Sequence, residues 1–217
     1  MKKIANVIII AGLLVFLYPL LDRAYTWYWQ QKILQSWEAN MPAVEDRRSR
    51  ERPPGEVGAG AEQPEPPLEL PANALGIIGI EKIDLRIPII EGASLANLKI
   101  GAGLMAETAA FGEPGNTVLT AHRSYTYGRF FNRLDEVEIG DEITVDTFAG
   151  AYCYIVYDKE IVKPNDPSIL ESPGGEEKED ILTLVTCHPI RKATHRLIIR
   201  ARPYIWKTPD ACFYPPS

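Results

Sequence analysis

Residues 4–21 run for eighteen positions without a charged side chain, interrupted in polarity only by Asn6, Tyr18 and Pro19. As a helix rising about 1.5 Å per residue, this run reaches about 27 Å, close to the thickness of a bilayer's hydrocarbon core. Lys2 and Lys3 precede it, and Tyr25, Trp27, Tyr28 and Trp29 follow where aromatic rings prefer the membrane interface. No small-x-small cleavage site follows promptly, so the run reads as a retained anchor rather than a cleaved signal peptide. The basic residues ahead of it place the N-terminus inside and the rest of the chain outside. Residues 22–39 continue as a helix, with Tyr28, Ile33, Leu34 and Trp37 spaced for one apolar side. Residues 42–71 then hold seven prolines, eleven charged residues and no aromatic residue. Such a stretch buries too little apolar area to offset its ordering entropy, which predicts a disordered tether holding the folded part away from the membrane.

From residue 75 the pattern becomes one of short apolar or alternating runs, the signature of strands. They fall at 76–83, 85–90, 117–121, 142–147, 152–162, 182–187 and 195–202, with Pro88 marking the second as an edge or irregular strand. On 152–162, Cys153, Ile155 and Ile161 are spaced to share a face. Residues 94–98 predict one or two helical turns, ended by Gly101 and Gly103, and residues 130–134 a second short helix. The polar loop 163–180 separates two of the strands. About eight short strands with few helices predict a mainly β fold, a closed or nearly closed eight-stranded barrel. The domain order expected is an anchor at 1–24, a juxtamembrane helix and linker at 25–74, the barrel at 75–204 and a tail at 205–217.

Composition narrows the function classes. With 46% hydrophobic content, 217 residues suffice for one domain and an appendage. Lys and Arg number 23 against 29 Asp and Glu, a net charge of −6, which excludes the basic face that a nucleic-acid partner requires. Three cysteines cannot all pair within the chain, so at least one thiol is left over. Cys153 and Cys212 read as packing or tail residues. The three histidines, His122, His188 and His195, lack the paired spacing of a zinc site. The acidic group Glu171, Glu176, Glu177, Glu179 and Asp180, with Asp135 and Glu136, is the one place for a loop calcium, but Lys178 interrupts it and it reads as a solvated charge run.

The chemistry concentrates at strand ends. Leu182-Thr183-Leu184-Val185-Thr186-Cys187 delivers a thiol to the end of a buried strand, and Thr117-Val118-Leu119-Thr120-Ala121-His122 delivers an imidazole to the end of another. Arg196 begins the strand after Cys187. A cysteine nucleophile needs a basic or cationic partner to raise its thiolate fraction, a role His122 can fill along with protonating a leaving amine. Arg196 has the donors to hold an oxyanion. His188 and His195 neighbour Cys187 and Arg196, so strand alternation turns them to the other face. Arg200 and Arg202 share the parity of Arg196 but read as surface charge.

The motifs Leu182 to Cys187, Thr194-His195-Arg196-Leu197-Ile198-Ile199 and Asn116 to Arg123 together resemble those of the sortases, membrane-anchored cysteine transpeptidases of mainly Gram-positive bacteria. The resemblance covers residues 75–204 and implies an eight-stranded sortase barrel, with Cys187 as nucleophile, His122 as acid and base, and Arg196 as transition-state stabiliser. It implies no cofactor. Thr120, Ala121 and Thr186, with Pro164, Asp166, Ile169 and Leu170 of the late loop, are implied to line the substrate groove. The implied reaction cleaves an exported protein's C-terminal Leu-Pro-x-Thr-Gly-like signal after threonine, forms a thioester and transfers the protein to an amine of a peptidoglycan precursor. The single N-terminal anchor and Ala121 to Phe131 look most like class D. The Asp-Pro-aromatic lid and second membrane span of the pilus-assembling class C enzymes are not found in the sequence. A pilus-type polymerase, a barrel kept as a non-catalytic scaffold or receptor, and a simple thiol hydrolase remain the alternatives.

Overall fold

The computed structural model describes residues 2–50, 73–171 and 179–204, with the side chains at 2, 3, 5, 7, 8, 11, 14 and 41–50 excepted. Among the described residues one helix, α1 (Lys2–Arg50), precedes eight strands: β1 (Ala74–Ile80), β2 (Leu85–Glu91), β3 (Ala102–Leu104), β4 (Gly115–Thr120), β5 (Glu142–Thr147), β6 (Ala151–Val162), β7 (Asp180–His188) and β8 (His195–Pro203). The strands close into a barrel in the order β1-β2-β3-β4-β7-β8-β6-β5. Two of the contacts, β2 with β3 and β4 with β7, are parallel, and the rest are antiparallel. Alternate residues point inward, so Ile78, Ile80, Leu119, Val145, Tyr154, Val156, Leu182, Leu184, Leu197 and Ile199 fill the interior.

Both expected short helices form. Ser94 caps α2 (Leu95–Leu98), its side chain accepting from the Asn97 N–H at 3.2 Å. The second is a 3-10 turn at Phe131–Glu136. On β2, residues 85–88 pair with β1 alone and the β3 ladder begins only at Ile89, which accommodates Pro88. The three-residue β3 has no counterpart in the sequence pattern, because its glycines serve close approach rather than side-chain packing. A Cβ at Gly101 would lie 2.1 Å from the Pro88 carbonyl oxygen, and one at Gly103 would lie 2.8 Å from Ala93 Cα. On β6 the interior face is carried by Tyr154 and Val156; Cys153 and Ile155 lie on the other side, and Ile161 is largely exposed beyond a register shift between Val156 and Asp158.

The helix α1 is continuous through the apolar run and residues 22–39, and passes Pro42 into the proline- and charge-rich segment as far as Arg50. Its residues 22, 26, 30, 33 and 37 form one stripe along the barrel wall. Ile33 and Trp37 are buried against Ile77 and Ile90. Gln30 donates to the Ile100 carbonyl at 2.8 Å, and Trp37 stacks on Phe148 with centroids 4.2 Å apart. Arg86 pairs with Glu38 at 3.3 Å. This packing explains why β1 and β2 read as near-continuous apolar runs: one face fills the barrel and the other meets the helix. The barrel therefore sits beside α1. Residues 51–72, which complete the predicted tether, lie outside the described residues, as do residues 205–217.

Two expectations about individual side chains change. Cys153 is disulfide-bonded and not simple packing. Arg200 is not surface charge: it is 6% exposed and donates to Asp158 at 2.5 Å and to the Ser168 carbonyl at 3.1 Å. Its guanidinium also lies 2.5 Å from Glu160. Cys212, read as a tail residue, lies outside the described residues.

Candidate active site

The β4–β7 ladder pairs Thr120 with Val185. The Ala121 N–H still donates to the Val185 carbonyl at 3.3 Å, His122 follows just beyond the strand, and the β7–β8 ladder pairs Cys187 with Arg196 directly. Cys187 and Arg196 thus form a row across β7 and β8, with His122, two residues beyond the end of β4, beside it on the Cys187 cavity. Residues opposite one another in register share a face, and here it is the outer one. Val118, Val185 and Ile198, of the same parity, form a cluster under Ile169 of the β6–β7 loop. Thr186 points the other way, into the wall, where its hydroxyl donates to the Ala121 carbonyl at 2.8 Å.

Cys187 is partly buried and is the free thiol among the described residues. It shares a cavity of about 360 Å³ with His122, Arg129, Pro189 and Arg191, together with Asp22 and Lys99. The His122 imidazole reaches solvent, yet partial burial lowers its pKa, and the Arg129 charge lowers it further. Arg129 is held by its Nη2 donating to Thr26 Oγ1 of α1 at 2.7 Å, and its guanidinium lies 5.0 Å from the Phe130 ring centroid. The Phe130 ring meets His122 edge-on at 6.4 Å. Replacing Arg129 with Gln removes the repulsion, so the His122 imidazole is expected to titrate at higher pH than in the parent, as its ring-proton NMR shifts will read; Arg129→Lys should restore the lowering.

Beneath the row, Arg123 ties the strand ends together. Its side chain is 2% exposed. Nη1 meets His188 Nδ1 at 2.7 Å, Nε donates to the Asn132 carbonyl at 3.3 Å, and Nη2 pairs with Asp135 at 2.7 Å. The loop from Arg123 closes at Phe130 through an isolated bridge, where Phe130 holds φ 53°, and the Phe131 N–H donates to the His122 carbonyl at 3.1 Å. His188 therefore belongs to this buttress, on the face opposite Cys187. Its pKa is lowered, first by burial and then by the Arg123 charge.

The other residues implied by the resemblance are distributed around the row. Pro164 and Asp166 line a separate cavity of about 570 Å³ with Lys163, Thr194 and His195. Ile169 is buried as part of the floor, whereas Leu170 is half-exposed. Ala121 is buried at the β4 end, and the Thr120 hydroxyl donates to the Val185 carbonyl at 3.3 Å. Arg196 does not line the Cys187 cavity; its Nη1 donates to the carbonyls of Ala193 and His195 at 3.3 and 3.0 Å. Of the acidic residues named for calcium, Asp135 and Glu136 are engaged by Arg123 and Arg133, and Glu176 and Glu177 lie outside the described residues. Among the described residues no group of three or more His, Cys, Asp or Glu is arranged to hold a metal ion.

Asn116 emerges as the pin of the β6–β7 loop. It is 5% exposed, donates to the Ile169 and Glu171 carbonyls at 3.2 and 3.1 Å, and accepts from Thr183 Oγ1 at 2.6 Å. Asn116→Ala leaves these groups unpaired in a buried setting and is expected to cost about 2–3 kcal/mol. Denaturant titration checks the loss, and faster amide exchange at residues 166–171 checks that the loop is what loosens. Neither Asn116 nor Arg123 stands out by type in the sequence, since a polar or charged residue becomes a buttress only through partners far along the chain.

Residues 78–204 match the Sortase domain model, more than half of the chain, and the protein belongs to that family. Sortase D of Bacillus subtilis (strain 168) is 33% identical over 130 residues, covering 58% of this chain and 62% of the relative. Sortase A of Bacillus anthracis is 26% identical over 127 residues, covering 58% of each. The chain thus spans less than two thirds of the length of these curated relatives. Among solved structures, sortase C1 of Streptococcus agalactiae superposes with a TM-score of 0.57 at 29% identity, over 63% of this chain and 70% of that one. Sortase C from Clostridium perfringens, solved with the C-terminal cell wall sorting motif, gives 0.56 at 28%, over 62% and 72%.

Proposed function

We infer that this chain is a membrane-anchored cysteine transpeptidase that acts on exported proteins bearing a C-terminal sorting signal. The observation that carries the reading is that His122 and Cys187 line one cavity while Arg196 stands directly opposite Cys187 across β7 and β8. In the proposed reaction, Cys187 Sγ attacks the carbonyl of the signal's threonine in a Leu-Pro-x-Thr-Gly-like segment. The S–C bond forms, the negative charge passes through the carbonyl oxygen, and the C–N bond breaks as His122 protonates the departing amine. An acceptor amine then attacks the thioester, giving its proton to His122 and restoring the thiol. Arg196 turns from its own hairpin carbonyls to donate to the oxyanion. The thioester retains enough acyl-transfer potential for an amine to compete with water.

The acceptor is an amine of a peptidoglycan precursor, and the class D reading is supported by the 33% identity to Sortase D. A second reading, in which the acceptor is a lysine of another protein subunit, is favoured by the likeness to sortase C structures. The C. perfringens structure with its sorting motif supports a sorting-signal substrate, and the pinned β6–β7 loop with Pro164, Asp166, Ile169 and Leu170 supports a groove beside the row. The proposed location is the outer face of the cell membrane, held by residues 4–21. Among the described residues no helix is long and apolar enough to cross a membrane. Positions 5, 7, 8, 11 and 14 of the uncharged run lie outside the described side chains, and the anchor reading rests on the run itself. Incubating the protein with a sorting-signal peptide and either a peptidoglycan-stem amine or a subunit-derived lysine peptide tests the reaction. Amide-linked product with the stem amine supports the first acceptor; cleavage with water capture alone would identify a thiol hydrolase instead.

A further inference from the structure

The stripe by which α1 holds the barrel begins at Asp22, one residue after the uncharged run ends at Leu21. Asp22 and Tyr125 line the cavity that contains Cys187, while Trp27 and Tyr127 line an adjoining one between α1 and the same barrel loop. The Thr26–Arg129 hydrogen bond at 2.7 Å fixes loop to helix at this level. Around that bond, five aromatic rings face solvent: Tyr25 is 54% exposed, Trp27 64%, Tyr28 55%, Tyr125 71% and Tyr127 73%. Rings with an apolar body and a polar edge are suited to the headgroup layer, where the ring replaces lipid contact and the hydroxyl or indole N–H keeps its water. Although the chain carries a net charge of −6, Arg23, Lys99 and Arg129 flank these rings beside Asp22, giving this end the cations that lipid phosphates attract. Three of the rings stand on the helix and two on the barrel, and the barrel pair stands on the loop that starts at His122.

We propose that these five rings form one face that seats the barrel on the bilayer surface, so that the mouth of the Cys187 cavity opens within the headgroup layer. This inference rests on the membrane-anchor reading of residues 4–21. Its occupant is the lipid surface itself. The consequence is that both reactants meet the thiol at the depth where an incompletely exported protein emerges from the membrane, and that the groove excludes water on its membrane side.

The test uses the full chain in phosphatidylglycerol–phosphatidylcholine nanodiscs, with a spin label on one introduced cysteine in a Cys187→Ala background. The label is placed in turn at Leu13→Cys, Thr126→Cys and Glu113→Cys, and its collision rates with dissolved oxygen and with an aqueous nickel chelate are compared. Thr126 lies between the two tyrosines and leaves both intact; Glu113 precedes β4, at the end of that strand remote from His122. The expected result is hydrocarbon immersion at 13, headgroup depth at 126 with several-fold lower nickel collision than at 113, and a return of 126 towards the value at 113 when Trp27→Ser and Tyr127→Ser are added. A label at 126 as open to nickel as the one at 113, with 13 immersed, overturns the docking face alone. A label at 13 open to nickel overturns the anchor reading, and the docking face with it.

Discussion

Cys187→Ala is expected to lower transpeptidation by at least about 10³-fold, because it removes the atom proposed to form the acyl bond while leaving the surrounding strands intact. Cys187 sits near the end of the β7 ladder, partly buried, with its strand neighbours Thr186 and Val185 packed in the wall. Alanine fits that position without strain or cavity, so the melting temperature should stay within a few degrees of the parent. Peptide binding should survive as well. The combination is diagnostic: a loss of rate without a loss of fold or binding assigns the thiol to chemistry. Turnover kinetics, thermal melting and peptide affinity measured on the same preparation check it. A scaffold that had abandoned catalysis would show no rate to lose.

Arg123→Ala is expected to damage both stability and rate. The guanidinium is enclosed, and it is the common partner of His188, the Asn132 carbonyl and Asp135. Truncation leaves the Asn132 carbonyl and the partly exposed His188 Nδ1 without this partner and opens a cavity between the ends of β4 and β7, at a cost of about 2–4 kcal/mol. His122 and Cys187 are the immediate chain neighbours of Arg123 and His188. A loosened buttress therefore misaligns the row, and misplacement by about 1 Å can cost on the order of 10²-fold in rate. Arg123→Lys keeps one charge but cannot hold three partners in a planar fork, so it should fall between the two. Denaturant titration and kcat/KM report the two effects separately. If the alanine variant proves as stable as the parent, the buttress is not what holds the strand ends.

Much of the barrel was legible because strand periodicity is local. The runs at 117–121, 142–147, 152–162, 182–187 and 195–202 each correspond to a strand, and the alternation that put His188 and His195 off the face of Cys187 and Arg196 follows from a period of two. The approach of His122 to the Cys187 cavity was not local. It depends on β4 and β7 pairing in parallel, with Thr117 against Leu182, which no short window contains. The same limit hid the packing of α1. Ile33 and Trp37 signalled an apolar side, but what that side covers is decided by Ile77 and Ile90 on the outward face of strands already accounted for by the core. The burial of Arg123, Arg200 and Asn116 was out of reach for a related reason: residue type predicts exposure, and partners as far as 65, 42 and 67 positions away help to justify their burial. The Cys153 disulfide lay beyond reach because three cysteines allow several pairings.

Whether Cys187 carries the substrate's acyl group is read from the intact mass of the protein, acid-quenched during turnover of a sorting-signal peptide. An added mass equal to the peptide up to and including its threonine is expected, located on Cys187 by fragmentation and discharged by hydroxylamine. Steady turnover with no such adduct, in a protein whose Cys187→Ala variant works equally well, would contradict that role for Cys187.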